Sequence, residues 1–235
     1  MVCWVRRTAL TALILVLSSG ARAESLSAFP DDDSGRVRAL ALMQTLNATL
    51  LSARSATLTL DKWCADHRIA PQAKIVAQLV RGADKPITGE QRQRLEIGPD
   101  EPVAYRRVQL ACGSHVLSEA DNWYVPSRLT PEMNRVLETT DTPFGRAVQA
   151  LNFDRKTVGA KLLWSPLPDG WELARPVAAP VDCAPAAAPA PLPIPPRLFE
   201  HRAVLYDGAR RPFSEVVETY TSEVLALPID NAAPR

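Results

Sequence analysis

The chain lacks a long apolar run anywhere after its N-terminus. The run from Ala9 to Leu17 is about half of the roughly 20 residues that a helix needs to cross a bilayer. No later segment is long and apolar enough to stop transfer through a membrane. We therefore expect no stable membrane span.

The chain also lacks an excess of either charge and the common signatures of metal and nucleotide sites. Its net charge is +1, which gives no reason to expect a nucleic-acid partner. Cys64, Asp66 and His67 are close in sequence, but adjacent residues rarely point at one ion, so we expect no metal site. The motifs G-x-S-x-G, G-x-G-x-x-G and the P-loop are absent, which argues against a serine hydrolase and against these nucleotide-binding sites.

The N-terminus has the residue order of an export signal. Arg6 and Arg7 precede the apolar run, and Ala21-Arg22-Ala23 fits a cleavage site. We predict a signal peptide over residues 1–23 and a periplasmic or secreted mature chain of residues 24–235; an uncleaved N-terminal anchor is the alternative. The mature chain would keep Cys64, Cys112 and Cys183, which allow one disulfide and one free thiol without indicating which pair forms it.

Apolar spacing predicts helices first and then mostly strands. Asp31 to Ser34 can cap a helix whose apolar residues recur every three to four positions, and a second short helix is predicted around Leu58 to His67. Two more short helices are predicted after Thr130 and after Thr142, the second reaching Leu151. Strands are predicted, in order, over Lys74 to Val80, Val103 to Ala111, Val116 to Val125, Val158 to Trp164, Leu198 to Tyr206 and Phe213 to Leu225.

Short turns between these strands favour hairpins, so the predicted fold class is α+β with a mainly antiparallel sheet flanked by helices. Residues 166–196 are rich in proline and alanine, which predicts a surface loop between two strands. Because strand patterns resume after it, residues 24–235 are predicted to form a single domain with this insert.

Three blocks in order resemble the chorismate pyruvate-lyase family, whose fold is shared by the ligand-sensing domains of GntR-type regulators. The first block runs from Tyr105 to Cys112 and on to Val125-Pro126. The second is Thr142 to Arg146, with Arg155 after it. The third consists of Arg202 to Leu205, Arg211-Pro212 and Val217 to Tyr220.

The resemblance implies roles for particular residues. It implies that Arg107 binds the substrate carboxylate and that Glu218, one residue further from Pro212 than in the family, is the catalytic acid or base. It further implies that Phe144 and Gly145 belong to a cover over the pocket and that Arg155 lies near it. A guanidinium suits a planar carboxylate, and cleavage of an enol ether needs a proton carrier but no metal or organic cofactor.

Two functions and one structural alternative remain open at the level of sequence. The protein is either a carbon–oxygen lyase that releases pyruvate from an enol-ether acid, or an exported module that binds a small cyclic or aromatic carboxylate without transforming it. The export signal weighs against the lyase because chorismate is a cytoplasmic metabolite. Alternatively, Arg107 and Glu218 form a cross-strand ion pair that only fixes the sheet.

Overall fold

The computed structural model describes residues 29–82, 84–173 and 189–227. The predicted signal peptide, Cys183 and the middle of the proline-rich insert lie outside these ranges. Within them, no helix is both long enough and apolar enough to cross a membrane.

A six-stranded, fully antiparallel sheet forms the centre of the described chain. Its strand order is β1-β2-β3-β6-β5-β4, so β1 and β4 form the two edges. The strands are β1 (Ile75–Leu79), β2 (Ala104–Cys112), β3 (His115–Tyr124), β4 (Asp154–Leu162), β5 (Arg197–Tyr206) and β6 (Pro212–Thr221). The predicted α+β class with an antiparallel sheet is confirmed.

The helices are α1 (Asp33–Ser52), α2 (Ala56–Asp66), α3 (Gly89–Arg94), α4 (Pro131–Thr139) and α5 (Phe144–Ala147). Four of the five α-helices in the described residues, all except α5, begin at a side-chain cap. In three of them a side-chain oxygen accepts a backbone N–H that the first helical turn leaves free. The acceptors and donors are Asp32 and Gly35 in α1, Ser55 and Leu58 in α2, and Thr130 and Met133 in α4.

Helices α1 and α2 cover one face of the sheet. Met43, Leu46 and Leu60 are fully buried in one cluster with Val108 and Leu110 of β2. A second cluster packs α4 and the segment around α5 against the neighbouring part of the sheet. We call the face that contacts these four helices the helix face. It is the face on which a buried site can form.

A disulfide between Cys64 of α2 and Cys112 of β2 ties a covering helix to the sheet. The sequence did not indicate which two of Cys64, Cys112 and Cys183 form a disulfide, and the structure contains the pair Cys64–Cys112. Both cysteines are fully buried.

Several predicted boundaries were wrong. Helix α5 ends at Ala147 and is followed by a separate 3-10 turn at Gln149–Leu151, and β4 begins at Asp154 rather than Val158. Strand β6 ends at Thr221, where a 3-10 turn takes over. The insert does join two strands, since β4 and β5 pair with each other on either side of it.

Candidate functional site

A cavity lies between the helix face of the sheet and two helix ends. Arg106, Val108, Asn122, Val216 and Glu218 form part of its floor. Its roof comes from Ser55, Ala56 and Thr57 at the start of α2 and from Phe144 and Gly145 at the start of α5. Phe153, Arg155 and Leu205 form the wall beside β4 and β5, and Arg54, Leu110 and Ala120 also line the cavity. The cavity volume is about 50 Å³, which exceeds the space of a single water molecule.

Arg106 is a buried cation that forms no salt bridge with any carboxylate of the described residues, although Asp141 acts on it from a greater distance. Only 5% of the residue is exposed, and its Nε and Nη1 groups have no hydrogen-bond partner. Nη2 donates to the carbonyl oxygens of Thr140 at 3.3 Å and Thr142 at 3.0 Å. Burial lowers the pKa of Arg106, although Tyr124 and Asp141 oppose the shift. A buried charge in this state is costly unless an anion accompanies it.

Arg155, by contrast, is neutralised within the site. Its Nη2 donates to Oε2 of Glu218 at 2.5 Å, and only 2% and 8% of the two side chains are exposed. The hydroxyl of Tyr220 donates to the same oxygen at 3.2 Å, and burial raises the pKa of Tyr220 well above its ordinary value. The three side chains come from β4 and β6, on strands that flank β5.

The charges and donors of the cavity wall favour an anion. Arg106 and Arg155 bring two positive charges and Glu218 one negative charge, so the buried groups of the wall carry one unmatched positive charge. Asn122 accepts from the Ser214 hydroxyl at 2.5 Å, but its Nδ2 group is unpartnered. The unsatisfied buried side-chain atoms among the lining residues are therefore all hydrogen-bond donors, belonging to Arg106 and Asn122.

The roof is closely fitted. A Cβ at Gly145 would lie 3.1 Å from the Ser55 hydroxyl and 3.3 Å from that of Thr57, so a side chain at position 145 would crowd the start of α2. The Phe144 ring contacts Tyr124 at a centroid distance of 5.4 Å and Phe213 at 6.3 Å. The roof therefore adds an apolar surface above the polar floor.

The structure brings four of the five predicted site residues together. Glu218, Phe144, Gly145 and Arg155 all line the cavity. A register shift lies between Pro212 and Glu218, since Leu205 pairs with Ser214 but Tyr206 pairs with Pro212, and Glu218 lines the cavity beyond it.

Arg107 is the exception, because it does not line the cavity. Side chains alternate between the faces of a strand, so Arg106 points to the helix face and Arg107 to the opposite face. The nearest acidic partner of Arg107 is Asp121 at 3.9 Å, and Glu218 pairs with Arg155 instead. The suggested ion pair between Arg107 and Glu218 is not formed.

Arg106 and Asn122 are the site residues that sequence reasoning missed. The alternation of β2 contained a signal for the first, because Arg106 has the same parity as the core residues Val108 and Leu110. Asn122 lies opposite Arg106 in the pairing of β2 with β3, so the register that places one also places the other.

Comparisons with known structures return regulator domains. The effector domain of PhnF from Mycobacterium smegmatis has a TM-score of 0.44 at 14% identity, over 72% of this chain and 89% of that one. The ligand-binding domain of a putative GntR-family regulator from Bordetella bronchiseptica has a TM-score of 0.38 at 18% identity, over 63% of this chain and 82% of that one. Because the identities are this low and the TM-scores lie below 0.5, the activities of these domains are not carried over.

A third structure, the possible transcriptional regulator YydK from Bacillus subtilis, has a TM-score of 0.37 at 15% identity over 64% of this chain. The match spans 59% of YydK's own length.

Comparison of sequences finds a nearer relative. No protein-family model matches the chain. The uncharacterized protein y4mC of Sinorhizobium fredii (strain NBRC 101917 / NGR234) is 55% identical over 210 residues, which cover 88% of this chain and 86% of that protein. The chain therefore belongs to the family of the Sinorhizobium fredii protein y4mC.

Proposed function

We propose that this protein is exported and binds a small cyclic or aromatic monocarboxylate in the cavity, with Arg106 as the anchor. The observation that carries this proposal is the buried Arg106 guanidinium with two unpartnered nitrogen groups. A ligand carboxylate would accept from these donors and supply the missing negative charge.

Charge and lining support a ligand with one anionic end and an apolar body. A monoanion balances the single unmatched positive charge of the wall, whereas a dianion would overcompensate it. Phe144, Phe153 and Val216 add apolar lining for a ring, which a cavity of about 50 Å³ takes up only when its roof moves. The Asn122 amide can donate a further hydrogen bond to the carboxylate.

The contacts of Glu218 favour binding over catalysis. Its Oε2 atom already accepts from Arg155 and Tyr220, so Glu218 serves to hold and neutralise Arg155. A general acid or base needs an oxygen that can exchange a proton with the substrate, and Oε2 of Glu218 is already engaged by Arg155 and Tyr220. We therefore place the lyase reaction among the outcomes of the test and not in the proposal.

Export is supported by the residue order of positions 1–23 and by the disulfide. Structural disulfides persist mainly in oxidising compartments such as the periplasm. The buried Cys64–Cys112 disulfide would therefore persist in the periplasm or outside the cell.

The test combines one binding and one turnover measurement on the purified mature chain. Calorimetry with 4-hydroxybenzoate should show one site per chain, and incubation with chorismate should release no pyruvate. Pyruvate release that Glu218→Gln abolishes would establish the lyase instead. The absence of both binding and turnover would contradict the carboxylate site.

A further inference from the structure

We infer that Asp61 and Arg146 are positioning residues that fasten the roof of the cavity and set the rate at which a ligand enters and leaves. This inference rests on the proposed function. Neither residue lines the cavity, so neither can act by touching the ligand.

The roof must move to admit an aromatic acid, because the cavity of about 50 Å³ is much smaller than the roughly 150 Å³ cavity that takes up benzene. The polar groups of the site are enclosed: Arg106 is 5% exposed, and the side chains of Arg155 and Glu218 are 2% and 8% exposed. The roof consists of the first residues of α2 and α5, which meet where Gly145 approaches Ser55 and Thr57. Separation of these two helix ends opens the cavity without disturbing the sheet.

Helix α5 depends on outside contacts for its position. It has four residues and no side-chain cap, and a helix of this length is unstable by itself in water. Helix α2, in contrast, is held by the disulfide at Cys64 and by a hydrogen bond from Trp63 to the Val224 carbonyl. We therefore infer that α5 moves when the roof opens and that α2 stays in place.

One carboxylate joins the fixed and the moving parts. Asp61, in the middle of α2, accepts the N–H of Ile75 through Oδ1 at 2.7 Å and Nη2 of Arg146 through Oδ2 at 2.7 Å. Arg146 also donates to the Ile75 carbonyl at 3.1 Å. Helices α2 and α5 and the edge strand β1 thus converge on this pair. The Asp61 side chain is 22% exposed and that of Arg146 is 27% exposed, so water screens their attraction only in part.

Loss of the pair should change rates more than affinity. While the closed roof remains the dominant state, the open population sets both the association and the dissociation rate, whereas the dissociation constant barely depends on it. Removal of a partly buried ion pair worth about 1 kcal/mol raises a small open population roughly fivefold.

Two single variants isolate the fastening. Asp61→Asn keeps an oxygen for the Ile75 N–H but loses the charge that binds Arg146, and Arg146→Gln removes the other partner. Lys62→Gln is the matched control, because it breaks the exposed Lys62–Asp66 pair on the same helix, away from the roof. Stopped-flow kinetics with 4-hydroxybenzoate should show both rates raised about fivefold in the two variants, with the dissociation constant within twofold of wild type, and no change in the control.

A second measurement needs no ligand. The amide protons of Arg146, Ala147 and Val148 should exchange about fivefold faster in Asp61→Asn and Arg146→Gln, while amides of β5 keep the wild-type rate and show that the fold is retained. Two results would overturn the role of the ion pair. One is amide exchange at α5 that is unchanged in both variants, and the other is association and dissociation rates of 4-hydroxybenzoate that are unchanged in both variants when the wild-type protein binds it. If the wild-type protein does not bind 4-hydroxybenzoate, the proposed function fails, while the exchange measurement still decides on the role of the ion pair.

Discussion

His201 shows how a single buried side chain links stability to pH. It is fully buried on β5, and its Nε2 atom lies 2.7 Å from Oδ1 of Asn47. Burial, reinforced by the positive charge of Arg155, lowers the pKa of His201 to about 4. The imidazole is therefore neutral in the folded protein at neutral pH.

The pH dependence follows in sign and size. Between pH 6.5 and 4 the unfolded chain binds a proton at His201 that the folded chain does not, so the free energy of unfolding falls as the pH falls. The contribution of this one group is about 3 kcal/mol across the window. Urea unfolding at pH 7 and pH 5 should show a smaller loss in His201→Gln than in wild type. Equal losses in the two proteins would contradict the depressed pKa.

Gly145 provides a second test at the residue scale. Gly145→Ala should lower the free energy of unfolding by about 1 kcal/mol, because the new methyl group would crowd the hydroxyls of Ser55 and Thr57. Gly98→Ala is the control, since a Cβ at Gly98 meets nothing within 4 Å. Thermal or urea unfolding measures both. Stability of Gly145→Ala at or above the wild-type value would contradict the close approach of α5 to α2.

Strand parity limits what resemblance alone predicts about single residues. A shift of one position along β2 exchanges Arg106 for Arg107 and moves a side chain to the other face of the sheet. Glu218, Arg155, Phe144 and Gly145 could be predicted as cavity residues because each belongs to a short motif. The choice between two adjacent arginines needed the register with β3.

At the scale of elements, the disulfide makes α2 a fixed wall of the site. The bridge closes a loop with a sequence separation of 48 residues. It holds the C-terminal half of α2 against β2, the strand that carries Arg106. The start of α2, which lines the roof, is therefore supported from its far end.

Removal of the bridge should be costly. The double variant Cys64→Ala/Cys112→Ala should lose about 4 kcal/mol of unfolding free energy, because the unfolded chain would no longer be constrained by that loop. Urea unfolding with and without reductant measures the loss. Wild-type protein in reductant should approach the variant. A variant as stable as the oxidised wild type would contradict the pairing.

Local signals explain which elements the sequence predicts well. Caps and turn residues indicate the helices that begin near Asp32, Ser55 and Thr130 and the hairpin of β2 and β3. Helix α3 was missed, although Thr88 and Gln91 form a capping box at its start. Its six residues are too few to show apolar periodicity. The end of α5 was misplaced because the apolar spacing of Phe144, Val148 and Leu151 continues through the 3-10 turn.

At the scale of the whole molecule, the sheet order depends on contacts that no local pattern contains. The pairing of β3 with β6 joins residues that are far apart in the sequence, such as Ser118 and Tyr220, which are separated by 102 positions. The cavity depends on this pairing, because it brings Asn122 and Arg106 beside Val216 and Glu218. The sequence therefore indicates the fold class and the hairpins, while the site requires the complete sheet.

Export is the prediction that concerns the whole chain. Expression of the full sequence in a Gram-negative host should yield a periplasmic protein that begins at Glu24, because Ala21-Arg22-Ala23 is the predicted cleavage site. Cell fractionation and the mass of the intact protein measure this. Replacement of Leu13 and Leu15 by arginine should retain the uncleaved protein inside the cell. A cytoplasmic wild-type protein that keeps residues 1–23 would contradict the signal.

The anchor role of Arg106 is tested most directly by calorimetric titration of 4-hydroxybenzoate into three proteins. Wild type and Arg107→Met should bind with the same affinity, because Arg107 lies on the other face of the sheet beside Asp121. Arg106→Met should weaken binding at least a hundredfold, as expected for loss of about 3 kcal/mol from a buried charge-assisted contact. Binding that survives in Arg106→Met, or that is lost in Arg107→Met, would contradict the assignment of the site.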